Sequence, residues 1–145
     1  MKKFNIAVVG ATGNVGREIL NILDSRKFPI NNLVALASSK SEGVKISYGN
    51  DKEVVVKNLE NFDFTGIDIV LSSPGAKISE KFSPLAIKAG AIIIENTSFF
   101  RMQKKIPLIV PEVNPEDIAS FKKEKIITLP SLLHRKVAFF LTFCR

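Results

Sequence analysis

The stretch VVGATGNVGREIL, residues 8–20, decides the fold of this chain. It joins an apolar run, Phe4 to Val9, to a segment whose apolar residues recur at helical spacing. Apart from Asn5, this run is apolar at every position, which predicts a strand buried on both faces of a sheet. Glycines between the two segments permit a tight turn. We therefore predict a strand, a glycine-rich turn and a helix, in that order.

The helix after the turn is predicted over Asn14 to Lys27. Its apolar residues Val15, Ile19, Ile22 and Leu23 fall on one face of a helix. Downstream, apolar runs again alternate with helical patterns, which is typical of βαβ units and a parallel sheet. The fold class predicted is a doubly wound, mainly parallel α/β domain of Rossmann type. Further strands are predicted at Leu33–Ala37, Glu53–Leu59 (a strand or an edge hairpin), Ile67–Leu71, Ala91–Ile94 and from Ile126.

Two more helices are predicted from capping signals. The first has Ser83 as its N-cap, Pro84 at its first position, and Gly90 at its end, because proline is poorly tolerated inside a helix. The second begins at Asn114 and Pro115, where a capping side chain precedes a proline and acidic residues follow.

The glycine turn, Gly10 to Gly16, has the form G-x-x-G-x-x-G between a strand and a helix. In that context it predicts a dinucleotide site, because the backbone can approach a pyrophosphate and the helix end favours anions. A turn of the same shape without a ligand remains an alternative. Lys40 stands among hydroxyl residues after the second strand, where NAD enzymes usually carry an acid. This favours the 2′-phosphate of NADP, although Glu42 is close and a solvated polar loop remains open.

Composition limits the other function classes. The chain has 145 residues and a formal charge of +7. Residues 121–145 hold six of the 21 basic residues and one of the 14 acidic residues, so most of the excess lies at one end and does not predict nucleic-acid binding. No apolar run predicts a membrane span. We interpret the short apolar run at the N-terminus as a strand, not a leader. The single cysteine, Cys144, suits a reducing cytoplasm.

Four segments together resemble the aspartate-semialdehyde dehydrogenase family: VVGATGNVGREIL, LASSKSEG, IIIENTSFFRM and PLIVPEVNPEDI. They cover residues 3–128 in that family's order and spacing. The resemblance implies the NADP-dependent, phosphate-requiring interconversion of L-aspartyl-4-phosphate and L-aspartate 4-semialdehyde. That reaction feeds lysine, threonine, methionine and diaminopimelate synthesis. It also implies a cofactor site at Gly10, Thr12, Gly13, Asn14, Val15, Gly16, Lys40, Ser41, Ser73 and Gly75, and phosphate binding by Arg101.

The resemblance stops at the strand that begins at Ile126. There the family continues into Asn-Pro-x-Cys, whose thiolate attacks the acyl carbon, whereas this chain reads Thr128-Leu129-Pro130-Ser131 and has no cysteine. The family's second domain, with its general-base histidine and most of its homodimer interface, is also missing. We assign no catalytic residue and no metal ligand, and we expect the chain alone to be inactive, binding an acyl phosphate weakly if at all.

The segment after Thr128 suggests a cause. Leu132 to Lys136 can be encoded so that a reading frame shifted by one base gives Cys-Ser-Ile-Ala, the kind of sequence that the family has here. We therefore predict an NADP-binding domain at residues 1–128 and an out-of-frame tail at residues 129–145. The alternative is a non-catalytic NADP-binding or partner-binding module, such as half of a split enzyme.

Overall fold

A computed structural model describes residues 2–110 and 112–130. The predicted tail therefore lies outside the described residues except for Leu129 and Pro130. The strands are β1 (Phe4–Val9), β2 (Ile30–Ala37), β3 (Lys45–Tyr48), β4 (Lys52–Asn58), β5 (Ile69–Ser72), β6 (Ile92–Glu95) and β7 (Ile126–Thr128). The helices are α1 (Asn14–Ser25), α2 (Ala76–Lys88) and α3 (Phe121–Glu124), with 3-10 turns at Ser39–Ser41 and Pro115–Ser120.

All seven strands form one sheet in the order β3-β4-β2-β1-β5-β6-β7. Every neighbouring pair is parallel except β3 and β4, which run antiparallel. Without β3, this is the strand order of a doubly wound nucleotide-binding sheet. The predicted fold class is confirmed. Because the chain passes from β1 to β2 on one side and resumes at β5 on the other, the order reverses at β1, and ligands bind at such a point.

The two long helices cover opposite faces of the sheet. Ile6 and Val8 of β1 pack in the same apolar cluster as the buried residues of α1. Their neighbours Ala7 and Val9 pack in the cluster that contains Phe82 of α2. Since successive side chains of a strand point to opposite faces, one apolar run supplies both layers of the core. The prediction of a strand buried on both faces is confirmed.

The predicted start of the second helix is wrong. Instead of beginning at Ser83 and Pro84, α2 begins at Ala76 after Gly75 and contains Pro84 in its interior. Proline leaves the Glu80 carbonyl without its usual helical donor. Both Glu80 and Pro84 are exposed, so that carbonyl can bind water. The predicted end is confirmed, because Gly90 follows the helix with a φ of +100°, a conformation that favours glycine.

The region Glu53–Leu59, predicted as a strand or an edge hairpin, is strand β4, which forms a hairpin with the edge strand β3 outside the predicted range. Its turn lies against α1, where the Gly49 N–H donates to Asn21 Oδ1 at 3.1 Å and the Lys52 ammonium donates to the Asp24 carboxylate. The hydrogen bond from Lys52 lowers the pKa of Asp24 and raises the pKa of Lys52. The hairpin therefore pairs the outer edge of β4 with β3 and is held against α1 at its turn.

At the other edge, the strand predicted from Ile126 is confirmed as β7, which pairs with β6. The helix predicted from Asn114 is a 3-10 turn that leads into the short α3. Leu129, the residue after β7, is buried, and its N–H donates to the Glu95 carbonyl at 2.8 Å. None of the helices in residues 2–110 and 112–130 has the length and apolar character that a membrane span requires.

The packing of α1 against β1 yields a stability prediction. A Cβ at Gly16 would lie 2.1 Å from the Gly10 carbonyl oxygen, whereas one at Gly13 would lie 3.5 Å from it, an ordinary contact. We expect Gly16→Ala to lower the free energy of unfolding by about 1–3 kcal/mol, because backbone atoms must move to admit it. Gly13→Ala should change it by about 0.5 kcal/mol or less. Urea unfolding followed by circular dichroism measures both, and equal stabilities would contradict this account.

Candidate functional site

A cleft of about 570 Å³ opens where the strand order reverses, at the carboxyl ends of the parallel strands. Its walls come from the loops after β1, β2, β4 and β5 and from one face of α2. In doubly wound sheets this edge holds the ligand. The residues that line it are Gly10, Thr12, Gly13, Ala37, Ser38, Leu59, Glu60, Ser73, Pro74, Ile78, Lys81, Phe82 and Leu85.

The floor of the cleft depends on Gly10. Its φ is +79°, and a Cβ there would lie 2.7 Å from the Ser73 carbonyl oxygen. Its N–H donates to the Leu36 carbonyl at 2.9 Å. The end of β2 and the segments that follow β1 and β5 therefore meet at Gly10, which has no side chain. At this residue, the backbone rather than a side chain faces the cleft.

The amino end of α1 lies beside Gly10 and carries unused donors. Gly13 is the N-cap, so no side chain caps the helix, and no acidic residue lies in the first turn. Within the described residues, the N–H groups of Asn14, Val15 and Gly16 have no hydrogen-bond acceptor. Unpaired N–H groups and the helix dipole both attract an anion. The geometry therefore fits the pyrophosphate of a dinucleotide, and nothing in the first turn competes for that position.

The predicted cofactor residues divide into three groups. Four line the cleft directly: Gly10, Thr12, Gly13 and Ser73. Four stand at helix starts beside it, namely Asn14, Val15 and Gly16 in α1 and Gly75, the N-cap of α2. The remaining two, Lys40 and Ser41, lie in the 3-10 turn after β2 and are not among the lining residues. Ser38, immediately before that turn, does line the cleft, so Lys40 lies two residues from it.

Sequence reasoning missed the wall formed by α2. Ile78, Lys81 and Leu85 line the cleft, and their spacing places them on one helical face. That spacing was a usable signal, but starting the helix at Ser83 left Ile78 and Lys81 outside it. Ile78 and Leu85 are 41% and 59% exposed, so the wall offers apolar surface to a ligand. The opposite wall, Leu59 and Glu60, follows β4 directly and was also missed.

Arg101 occupies a second position on the same edge of the sheet. It does not line the cleft but lies half-buried at the ends of β6 and β7. Its Nε donates to the Leu129 carbonyl at 3.1 Å and its Nη2 to the Asn96 carbonyl at 2.7 Å. Two of its donors are thus committed to the backbone. Nη1 has no acceptor among the described residues, so this edge of the guanidinium remains available to an anion.

The loop that carries Arg101 is tied to the sheet by Glu95, the last residue of β6. Glu95 is fully buried and accepts hydrogen bonds from the Ser72 hydroxyl and the Thr97 N–H, both at 2.8 Å. The Asn96 Oδ1 is buried and has no partner. In the described part of the chain, no three His, Cys, Asp or Glu side chains cluster in a way that could hold a metal ion.

Comparison with known proteins places these features in a family. Residues 5–121 match the family model "Semialdehyde dehydrogenase, NAD binding domain". The aspartate-semialdehyde dehydrogenase of Rickettsia bellii is 48% identical over 132 residues, which is 91% of this chain. These matches confirm the resemblance that the four segments predict.

Solved structures agree with the sequence matches. Aspartate-semialdehyde dehydrogenase II of Vibrio cholerae, solved in complex with ASA, superposes with a TM-score of 0.84 at 47% identity over 89% of this chain. The Candida albicans enzyme, solved with NADP, superposes with a TM-score of 0.70 at 26% identity over 88% of it. These matches cover 42% of each of the two solved chains. Likewise, the chain spans only 39% of the Rickettsia relative's length.

Proposed function

The chain belongs to the semialdehyde dehydrogenase family through its NAD-binding domain, and from this premise we propose that it binds NADP as the nucleotide-binding part of an aspartate-semialdehyde dehydrogenase. The observation that carries the proposal is the uncapped amino end of α1, which meets the cleft at Gly13. Three N–H groups without acceptors lie there, at Asn14, Val15 and Gly16. The proposal assigns the pyrophosphate of NADP to them.

Two parts of the dinucleotide would bind at different places along the carboxyl-end edge of the sheet. Thr12 and Gly13 lie beside the pyrophosphate position, while Ser73 and Gly75 flank it from the loop after β5. We assign the 2′-phosphate to Lys40 and Ser41, because their turn follows β2 directly after Ser38, which lines the cleft. A lysine and a hydroxyl favour a phosphate there, whereas an acid would favour a free ribose hydroxyl.

We assign the anionic part of the substrate to Arg101. Its Nε and Nη2 are held by backbone carbonyls, so its orientation is set before a ligand arrives. A guanidinium binds phosphate oxygens through parallel hydrogen bonds. When bound, NADP supplies the hydride acceptor of the family's reaction, and the family's substrates are an aspartyl phosphate and the matching semialdehyde. Arg101 would hold the phosphate in place near the strand ends.

We further propose that this chain does not complete the reaction alone. Acyl transfer by a thioacyl intermediate needs an activated cysteine, and none occurs among residues 1–143. The proposed division is an NADP-binding domain at residues 1–128 and a tail at residues 129–145 that is read out of frame. Lysine, threonine, methionine and diaminopimelate synthesis, in the cytoplasm, would be the pathways served by the whole family enzyme.

A second candidate function is a non-catalytic NADP-binding module that pairs with a separate partner. It is favoured by Met102 and Val113, which are 91% and 75% exposed. Exposed apolar side chains mark a partner surface where they form one contiguous patch, so this proposal requires the two residues to lie together. The partner expected on this reading is a separately encoded second domain, as in a split enzyme.

The gene distinguishes these two readings. We expect the frame shifted near the codons for residues 128–131 to continue into Asn-Pro-x-Cys and a second domain, because the resemblance of the four segments covers residues 3–128. Sequencing from the codon for Ile126 to several hundred bases past the stop tests this. An intact frame followed by no such sequence would contradict the frameshift and favour a module that pairs with a partner encoded elsewhere.

Binding of NADPH tests the nucleotide site directly. We expect the chain to bind NADPH and Gly13→Ala to weaken binding by roughly tenfold, about 1.4 kcal/mol, because the added methyl group lies at the N–H cluster. Calorimetry and NADPH fluorescence measure the affinity, the latter without background from tryptophan, since the chain has none. The control is Lys3→Ala, at an exposed residue before β1 that does not line the cleft. Equal affinities for the two variants would contradict the assignment.

The choice of cofactor tests Lys40. We expect Lys40→Glu to weaken NADPH binding by roughly tenfold while changing NADH binding little, because only NADPH carries the 2′-phosphate. The matched control is Lys3→Glu, at an exposed residue that precedes β1 and so lies at the opposite end of that strand from the cleft. If Lys40→Glu lowers the affinity for both cofactors equally, Lys40 does not bind the 2′-phosphate.

A further inference from the structure

Glu95 is the only acidic residue among the fully buried side chains of the described residues. Taking a carboxylate out of water is costly unless hydrogen bonds compensate it. Here Oε2 accepts from the Ser72 hydroxyl and Oε1 accepts from the Thr97 N–H, both at 2.8 Å. The two oxygens therefore reach in two directions, one to β5 and one to the loop after β6.

Backbone hydrogen bonds add to the same junction. The Asn96 N–H donates to the Ser72 carbonyl at 2.9 Å, and the Leu129 N–H donates to the Glu95 carbonyl at 2.8 Å. The Thr97 hydroxyl also donates to the Ser79 hydroxyl of α2 at 3.3 Å. Glu95 thus stands at the point where β5, the loop after β6 and the residue after β7 are joined.

Arg101 depends on that junction for its orientation. Its two acceptors are the Asn96 carbonyl and the Leu129 carbonyl. Asn96 directly follows Glu95, and Leu129 is bonded to the Glu95 backbone. Both supports of the guanidinium are therefore next to Glu95, although Glu95 makes no contact with Arg101. A shift of the loop at Thr97 would move the Asn96 carbonyl and turn the guanidinium.

We propose that Glu95 is a positioning residue that aims the Arg101 guanidinium at its anion by holding Thr97 and Ser72 at once. This inference rests on the proposed role of Arg101 in binding phosphate. The decisive property is the reach of the side chain rather than its charge. A glutamine has the same length, can accept from the Thr97 N–H through its oxygen, and can donate to the Ser72 hydroxyl through its amide. An aspartate keeps the charge but is shorter by one methylene group and cannot reach both partners.

The test compares Glu95→Gln with Glu95→Asp in the whole chain. The readout is the ¹⁵N NMR signal of the Arg101 Nε–H, which is protected by its bond to Leu129, together with its response to added inorganic phosphate. We expect Glu95→Gln to keep the protection and the phosphate response. Glu95→Asp should exchange the Nε–H at least tenfold faster and weaken the phosphate response. The reverse order would show that charge, not reach, matters, and equal behaviour would show no positioning role; either result overturns the proposal.

Two further variants keep the test decisive if Glu95→Asp fails to fold. Ser72→Ala removes one partner of the carboxylate, and we expect faster exchange of the Arg101 Nε–H. Thr97→Ala removes only the hydroxyl bonded to Ser79 and keeps the N–H bonded to Glu95, so it should behave like the unchanged chain. Unchanged exchange in Ser72→Ala would overturn the proposal.

The phosphate titration separates this inference from the proposed function. If Glu95→Asp speeds exchange of the Nε–H while phosphate fails to shift that signal in the unchanged chain, Glu95 orients Arg101, but Arg101 does not bind phosphate. If phosphate shifts the signal equally in both Glu95 variants, the anion role stands and the positioning role falls.

Discussion

The contact between α1 and the glycine turn is the constraint on which the rest of the site depends. Gly16 lies so close to the Gly10 carbonyl that no side chain fits between them. This contact sets the amino end of α1, with its three free N–H groups, against the carboxyl end of β1. A side chain at Gly10 would also collide with the Ser73 carbonyl. The same two glycines therefore set the position of the helix and the contact between the loops after β1 and β5.

The sequence predicts most of the central sheet because local pattern and tertiary environment agree there. Phe4 to Val9 is apolar except at Asn5 and is a strand with both faces covered. The start of α2 could not be predicted in the same way, because Pro84 is a strong local signal against a helix interior. Its neighbours pack against the sheet through Phe82 and Ala86, and that burial outweighs the loss of one exposed hydrogen bond. Tertiary packing commonly overrides propensity in this way.

The candidate site was predictable to different degrees for similar reasons. The glycine turn is a contiguous motif, so its residues could be named from the sequence alone. The wall of Ile78, Lys81 and Leu85 depends on where α2 begins, and the error at Pro84 hid it. The anchors of Arg101 were beyond prediction, because Leu129 is 28 residues away and is brought near only by the pairing of β6 with β7. Residues that strand pairing brings together from distant parts of the chain leave no local pattern in the sequence.

The two ends of this site are complete to different extents. At the nucleotide end, the cleft has walls from four loops and a helix, all supplied by the described residues. At the anion end, Arg101 is held from one side by two backbone carbonyls. An arginine binds an anion more strongly when other groups exclude water from the contact. The described residues thus supply several walls around the nucleotide end, whereas at the anion end they supply one oriented cation.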